Sequence, residues 1–250
     1  MKRWALVLLA VLAAVDAWAE ISLFYVRHAE GGHNVVKQFE ESGIPTNEWP
    51  AYVGKGNMFT PLGQEQAGVL AEGLKDQRFD LIAVSPLWRT RNTILPYLRA
   101  SGQQAEIWPE LAEIPGYELT PELVAAPVAA DLFVGRRSTV KLTEEESGIF
   151  KMGVDGWKGR ELMVTNAAEA AALYQRVEKR LQDRFGTRPA RVLLVGHGNA
   201  SHTLLRYLTD QPTLRKPQLK NTFLWDGTLK DDGTFDLLHY NQEARDLFKP

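Results

Sequence analysis

The sequence predicts an α/β fold, a three-layer αβα sandwich with a mostly parallel sheet and an inserted cap region. Short apolar runs at 21–26, 80–85 and 191–195 have the length and composition of buried strands. A stretch with helix-start signals follows each run, and strands that alternate with helices form parallel sheets covered on both faces. Ligands bind such sheets beyond the carboxyl ends of the strands, so residues that directly follow a strand are the first functional candidates.

Capping residues mark where the helices begin. Thr60-Pro61 predicts a helix to about residue 75, with Thr at the N-cap and Pro at the first helical position. Ser85-Pro86 repeats this signal before a second helix. Asn166, followed three residues later by Glu169, predicts the start of a long helix to about residue 185. The remaining predictions are a strand at 105–108, a helix from the turn at 196–199 to about 208, and terminal strands at 223–225 and 235–240 joined by a turn at 231–233.

The middle of the chain lacks a clear hydrophobic period. Prolines at positions 109, 115, 121 and 127 are incompatible with a long regular element. We therefore expect residues 114–165 to form an insertion of loops and short helices folded over one end of the sheet. The prediction is one domain over residues 20–250 that contains this cap.

Composition restricts the classes of function. The chain of 250 residues has 44% hydrophobic and 24% charged residues and a formal net charge of −2, so no global basic field favours nucleic acid. Anion binding must then come from a local cluster of Arg and His. The chain has no cysteine, which excludes thiol nucleophiles and thiolate metal sites.

Residues 1–19 have the pattern of a secretory signal peptide. Lys2 and Arg3 precede an apolar run at 4–15, and Ala17-Trp18-Ala19 has the small-x-small pattern of a cleavage site. We expect cleavage after Ala19 and a periplasmic or secreted protein with no stable membrane anchor. An uncleaved anchor or a buried first helix stays open as the alternative.

Three candidate groups follow strands and can meet at one edge of the sheet. A phosphate monoester dianion there would be clamped by the guanidinium groups of Arg27 and Arg89. His197 can donate a further hydrogen bond, which leaves His28 to attack phosphorus as a neutral imidazole. A carboxylic acid is then needed to protonate the leaving alkoxide.

Five segments of the chain resemble sequence motifs of one family. Residues 27–34, Arg-His-Ala-Glu-Gly-Gly-His-Asn, resemble the Arg-His-Gly motif of the histidine phosphatase superfamily, also called phosphoglycerate-mutase-like. Four later segments resemble further motifs of its branch 1 in the family order, and they lie at 60–67, 85–93, 111–113 and 195–198.

The resemblance implies a role for each matched residue. His28 is the phosphate acceptor, and Glu113 is the proton donor to the leaving group. Asn34 helps to bind phosphate, and the phosphate pocket consists of Arg27, Arg89 and His197. The resemblance implies no metal and no organic cofactor, and a small phosphate monoester as the partner.

Several alternatives stay open. Glu110 competes with Glu113 as the acid, with Glu118 behind both, and Asn34 has capping as its other interpretation. Ala29 stands where the family usually has glycine, which is compatible if the backbone there has a negative φ. The five-residue spacing of His28/His33 and of His197/His202 does not suit one metal ion, so we expect no metal site.

The functional hypothesis is an exported phosphomonoesterase that hydrolyses a small phosphorylated metabolite or sugar phosphate through a phosphohistidine. One alternative is a non-catalytic module that binds a phosphate ligand, and the position of Glu113 relative to His28 distinguishes the two. The other alternative is a phosphomutase or phosphotransferase, which must protect its phosphoenzyme from water. The oligomeric state is not predicted.

Overall fold

A computed structural model describes residues 20–126, 140, 142–153, 164–186, 188–211 and 214–249. The predicted signal peptide at 1–19 lies outside the described residues, and so do parts of the predicted insertion, at 127–139, 141 and 154–163. No helix among the described residues has the length and apolar character needed to cross a membrane.

The described residues form a seven-stranded, mostly parallel sheet with the order β4-β3-β2-β5-β1-β6-β7. Its five consecutive strands from β4 to β1 pair in parallel, whereas β6 is antiparallel to both β1 and β7. The strands are β1 (Glu20–Arg27), β2 (Leu81–Val84), β3 (Ala105–Ile107), β4 (Phe150–Met152), β5 (Ala190–Gly196), β6 (Leu224–Lys230) and β7 (Phe235–Gln242). The α/β class and the mostly parallel sheet are confirmed.

Helices cover both faces of this sheet. Alternate residues of β1 enter two separate apolar cores: Leu23 packs on one face, whereas Phe24 packs on the other. Helices α2, α3 and α8 contribute to the core around Phe24, and α6 and α7 to the core around Leu23. The helices are α1 (Val36–Glu41), α2 (Pro61–Leu74), α3 (Trp88–Ser101), α4 (Pro121–Ala125), α5 (Glu144–Ile149), α6 (Ala167–Phe185), α7 (Gly198–Leu208) and α8 (Ala244–Leu247), with short 3-10 helices at Gly32–Asn34, Thr46–Glu48 and Pro109–Leu111.

Two of the three predicted helix starts are confirmed, and one is wrong. Thr60 caps α2 by accepting a hydrogen bond from Gly63 N, and Asn166 caps α6 through Glu169 N. The Ser85-Pro86 prediction fails because α3 begins at Trp88 and has no side-chain cap. The Ser85 hydroxyl accepts from Leu87 N at 3.3 Å, ahead of the helix, and lies 2.8 Å from Nε2 of the distant His197.

The predicted insertion contains a strand that the sequence did not indicate. Phe150–Met152 forms β4 and pairs in parallel with β3 at the edge of the sheet. Three residues are too few to show the alternation that identifies a strand from sequence. A buried ion pair between Arg91 Nε and Glu146 Oε1, 3.0 Å apart, joins α3 to the helix before this strand.

Candidate active site

The strand order brings three loop positions together. β2, β5 and β1 are neighbours in the sheet and run in parallel, so their carboxyl ends lie at one edge. At this edge Ser85 N donates to Val195 O at 2.9 Å, and His28 N donates to Gly196 O at 3.0 Å. These main-chain hydrogen bonds hold the residues that follow the strands in a fixed relation to one another.

His28 is buried and has a defined tautomer. The residue is only 1% exposed, and its Nδ1 lies 2.7 Å from the carbonyl oxygen of Ala29. A carbonyl only accepts, so Nδ1 carries the proton and Nε2 keeps a free lone pair. Burial lowers the pKa of His28 well below its ordinary value, and the charges of Arg89 and Arg27 lower it further. The imidazole is therefore neutral at pH 7, as a nucleophile must be.

The main chain around His28 is tied to other segments. Asn221 Nδ2 donates to His28 O at 2.8 Å, and Ala29 N donates to Thr93 Oγ1 at 2.8 Å. Ala29 is not among the described residues with positive φ, so its methyl group is accommodated without backbone strain. The departure from the glycine of the motif thus leaves the position of His28 undisturbed.

His197 occupies the N-cap position of α7 beside His28. Its ring centroid lies 5.2 Å from that of His28, and its Nε2 contacts Ser85 Oγ. The main chain is fixed by the Tyr25 hydroxyl, which accepts from His197 N at 2.7 Å and donates to His197 O at 3.1 Å. His197 Nδ1 is buried and has no hydrogen-bond partner among the described residues, which leaves it available to a ligand.

Arg27 and Arg89 bring positive charge to the same place. Arg27, the last residue of β1, donates from Nη1 to Leu219 O at 2.7 Å, and its buried Nε has no partner in the described part of the chain. The guanidinium packs against the first turn of α7, where a Cβ on Gly198 would lie 3.4 Å from Arg27 Nε, in ordinary contact. Arg89 lies in the first turn of α3, is 7% exposed and forms an ion pair through Nη2 with Glu113 Oε2.

Of the three candidate acids, the structure brings Glu113 to this cluster. Its side chain is 42% exposed and contacts Arg89. Glu110 lies on a short 3-10 helix, is 3% exposed and pairs with Arg180 Nη2 of α6 at 3.0 Å. Glu118 is exposed. Thus Glu110 is occupied in a buried ion pair, and Glu113 is the carboxylate in direct contact with an arginine of the cluster.

The Asn34 side chain bonds within a turn, and the neighbouring His33 lies beside His28. Asn34 is exposed, and its Oδ1 accepts a hydrogen bond from Gly31 N at 3.0 Å, which is the capping role left open for it. His33, considered from sequence only as a metal ligand, has its ring centroid 5.4 Å from that of His28. No group of residues able to hold a metal ion occurs within the described ranges.

Sequence reasoning missed four supporting residues at this edge: Tyr25, Ser85, Thr93 and Asn221. Ser85 had a signal, since it directly follows a strand, but its proline neighbour suggested a helix cap instead. Asn221 had none, because it acts on His28 from 193 positions along the chain. The assembled site combines a nucleophilic imidazole nitrogen with cationic and N–H donors, the groups that bind and attack an oxyanion.

Paired arginines and histidines at one edge of an α/β sheet are groups suited to binding an oxyanion. Residues 23–120 match the family model described as histidine phosphatase superfamily (branch 1). Over this range the chain is similar to that superfamily, and its structural neighbours share its fold. No curated protein sequence matches the chain significantly.

Similar solved structures include two phosphatases and a mutase. A phosphoserine phosphatase from Entamoeba histolytica in complex with 3-phosphoglyceric acid is 21% identical, with a TM-score of 0.53 over 89% of this chain and 97% of that chain. A mycobacterial glucosyl-3-phosphoglycerate phosphatase with VO3 is 20% identical, with a TM-score of 0.52 over 89% and 99%. A phosphoglycerate mutase from Bacillus anthracis is 18% identical, with a TM-score of 0.53 over 91% and 95%. Likenesses at these identities establish the shared fold.

Proposed function

We propose that the protein is a phosphomonoesterase that hydrolyses a small phosphorylated metabolite or sugar phosphate through a phosphohistidine at His28. The observation that carries this proposal is the hydrogen bond from His28 Nδ1 to the Ala29 carbonyl, which leaves Nε2 unprotonated with a free lone pair. That nitrogen belongs to a neutral, buried imidazole with Arg27, Arg89 and His197 around it.

In the first step, the phosphate dianion displaces Glu113 from Arg89 because it carries more charge and more acceptor oxygens. Arg27, Arg89 and His197 hold the non-bridging oxygens, and the N–H groups at the start of α7 add favourable partial charge. His28 Nε2 then attacks phosphorus, and the ester P–O bond breaks. Glu113, as a carboxylic acid, gives its proton to the leaving oxygen.

The second step regenerates the enzyme. The Glu113 carboxylate takes a proton from a water molecule, and the water oxygen attacks phosphorus in line with the P–N bond. That bond breaks, inorganic phosphate forms, and His28 returns to its neutral state with Nδ1 still bonded to Ala29. Partial exposure of Glu113 is compatible with this role, because the water must reach it from solvent.

The names of the neighbours support a small phosphorylated substrate. The Entamoeba protein is a phosphoserine phosphatase, and the mycobacterial protein acts on a glucosylated phosphoglycerate. Export is part of the proposal and rests on the sequence of residues 1–19 alone. Cell fractionation with and without the Ala19→Arg change, which removes the cleavage pattern, tests this part separately.

A screen of phosphomonoesters against the purified protein and its His28→Ala variant tests the proposal. We expect turnover by the wild type, none by the variant, and an acid-labile phosphoprotein only when His28 is present. His239→Ala is the matched control, since His239 lies half-exposed on β7 against Asp226. Equal turnover by wild type and His28→Ala would refute the mechanism, and His28-dependent transfer to a second metabolite in preference to water would identify a mutase.

A further inference from the structure

The loop after β1 brings a third imidazole to the site. The His33 ring centroid is 5.4 Å from that of His28, nearly the same separation as the 5.2 Å between His28 and His197. The phosphoryl group that the proposed function places at His28 Nε2 has three non-bridging oxygens. A histidine at the distance of His197 is within range of one of them.

His33 also has an unfulfilled hydrogen-bonding group. Its Nδ1 is buried and has no partner among the described residues, a property that it shares with His197 Nδ1 and Arg27 Nε. Buried polar atoms are nearly always bonded in functional states, so an unpartnered one indicates a ligand. Arg27 and His197 belong to the proposed phosphate pocket, and the His33 ring lies beside His28 there, so an unpartnered nitrogen on His33 suits a site that binds an oxyanion.

Packing and hydrogen bonds within the loop restrict the position of His33. A Cβ on Gly31 would lie 2.8 Å from His33 Nδ1, so only glycine leaves room for the ring where it stands. Gly32 N donates to Met58 O at 2.9 Å, and its own carbonyl accepts from Gly54 N at 3.0 Å. The Asn34 side chain closes the turn on Gly31 N. These bonds fix the main chain of the turn that carries His33.

The charges around His33 keep it a neutral donor. Burial lowers its pKa below the ordinary value, Arg89 and Arg27 lower it further, and Glu113 acts in the opposite direction. A neutral imidazole has one N–H and one lone pair, so it can donate to a phosphate oxygen without adding charge to a pocket that already holds two arginines.

We propose that His33 is a substrate-binding residue whose Nδ1–H donates a hydrogen bond to a non-bridging oxygen of the phosphoryl group at His28. The inference deepens the proposed function and rests on it for the identity of the substrate. Asn34 is then a positioning residue, which closes the turn that carries His33.

Three variants of the full chain test this inference: His33→Ala, His33→Asn and Gly31→Ala. The amide nitrogen of His33→Asn can take the place of Nδ1, whereas alanine cannot. Orthovanadate mimics the phosphoryl group in transfer, and its affinity is measured by calorimetry alongside that of inorganic phosphate. Loss of one hydrogen bond to a charged group predicts about ten- to hundredfold weaker vanadate binding and kcat/KM for His33→Ala. We expect partial recovery in His33→Asn.

Gly31→Ala should reproduce the loss because its new methyl group displaces the ring. It should add little in the His33→Ala background, since the ring is then absent. Unchanged vanadate affinity in both His33→Ala and Gly31→Ala would overturn the inference. Equal losses in His33→Ala and His33→Asn, together with a lowered Tm in both, would overturn it too, because they would point to a structural role.

The two proposals fail in different ways. If no phosphomonoester is hydrolysed but His33→Ala weakens phosphate binding, the inference holds and the proposed activity fails. If His28-dependent turnover is found and His33→Ala matches the wild type in turnover and in vanadate binding, the activity holds and the inference fails.

Discussion

At the scale of single residues, one main-chain carbonyl determines which nitrogen of His28 can react. Ala29 O accepts a hydrogen bond from His28 Nδ1. The next residue, Glu30, is held by hydrogen bonds to Thr60 and Gln66, at the N-cap and in the first half of α2. The imidazole therefore keeps one tautomer before any substrate arrives. Such preorganisation removes the need to reorient the ring during phosphoryl transfer.

Glu113, the proposed proton donor, is the residue whose role is most directly testable. We expect Glu113→Gln to lower kcat for an alkyl phosphate by about 10²- to 10⁴-fold, the usual contribution of a positioned general acid. p-Nitrophenyl phosphate should lose much less in the phosphorylation step, because its leaving group needs no proton. Rapid-quench measurement of phosphoenzyme formation with both substrates checks this.

Glu110→Gln is the matched control for that experiment. Glu110 is buried against Arg180, so its substitution should lower stability and leave the ratio between the two substrates unchanged. The assignment of Glu113 would be contradicted if Glu113→Gln slowed both substrates equally, or if Glu110→Gln alone changed their ratio.

At the scale of elements, α7 connects His197 to the loop that carries Glu113, the proposed acid. The helix begins directly after His197. Two of its later side chains form hydrogen bonds with the main-chain N–H and carbonyl of Tyr117. Tyr117 N donates to Thr203 Oγ1 at 3.2 Å, and Tyr117 O accepts from Arg206 Nη1 at 2.6 Å. The residues on either side, Ile114 and Leu119, are buried in the core. The acid loop is therefore positioned by the same helix as His197.

Loss of the hydrogen bond between Arg206 and Tyr117 O should disturb the position of Glu113 more than that of His28. We expect Arg206→Ala to lower kcat for an alkyl phosphate by about tenfold through a less ordered acid loop, with a smaller change for p-nitrophenyl phosphate. The comparison of the two substrates, with Tm measured in parallel, checks it. Arg188→Ala is the control, because Arg188 is an exposed residue that donates to Arg184 O. A fall in Tm with equal losses on both substrates would mean that Arg206 acts on stability alone.

At the scale of the whole molecule, burial of the site histidines couples stability to pH. Burial lowers the pKa of both His28 and His197 below their ordinary value of 6.5. The unfolded chain then binds more protons than the folded protein at pH values below 6.5. The free energy of unfolding is therefore highest above about pH 6.5 and falls as the pH decreases toward the folded pKa values.

Each of the two histidines should contribute a slope of at most about 1.4 kcal/mol per pH unit in this acidic range. Urea unfolding between pH 7.5 and 5 should thus show a smaller loss of stability in His28→Ala than in the wild type. His239→Ala controls for the removal of an imidazole elsewhere. Identical slopes in wild type and His28→Ala would mean that His28 is not buried in its neutral form.

The sequence predicted most of the elements that build the sheet and its edge. β1, β5, α2 and α6 have signals that lie within a few residues, namely apolar runs and capping side chains. The same local reasoning identified His28 and His197, because each directly follows a buried strand. It failed for β4, which has three residues, and for Ser85, whose hydroxyl bonds to a distant histidine.

By itself the sequence determined the class of fold, the positions of the candidate histidines and arginines, and the resemblance to one family. Only the tertiary structure shows that Glu113 contacts Arg89 whereas Glu110 pairs with Arg180, that the Asn34 side chain bonds to Gly31 N, and that His33 and Asn221 lie beside His28. The physical reason is the range of the interactions. Hydrophobic periods and caps act over a few residues, whereas side-chain direction at the site depends on hydrogen bonds between segments far apart in the chain, such as the one from Asn221 to His28.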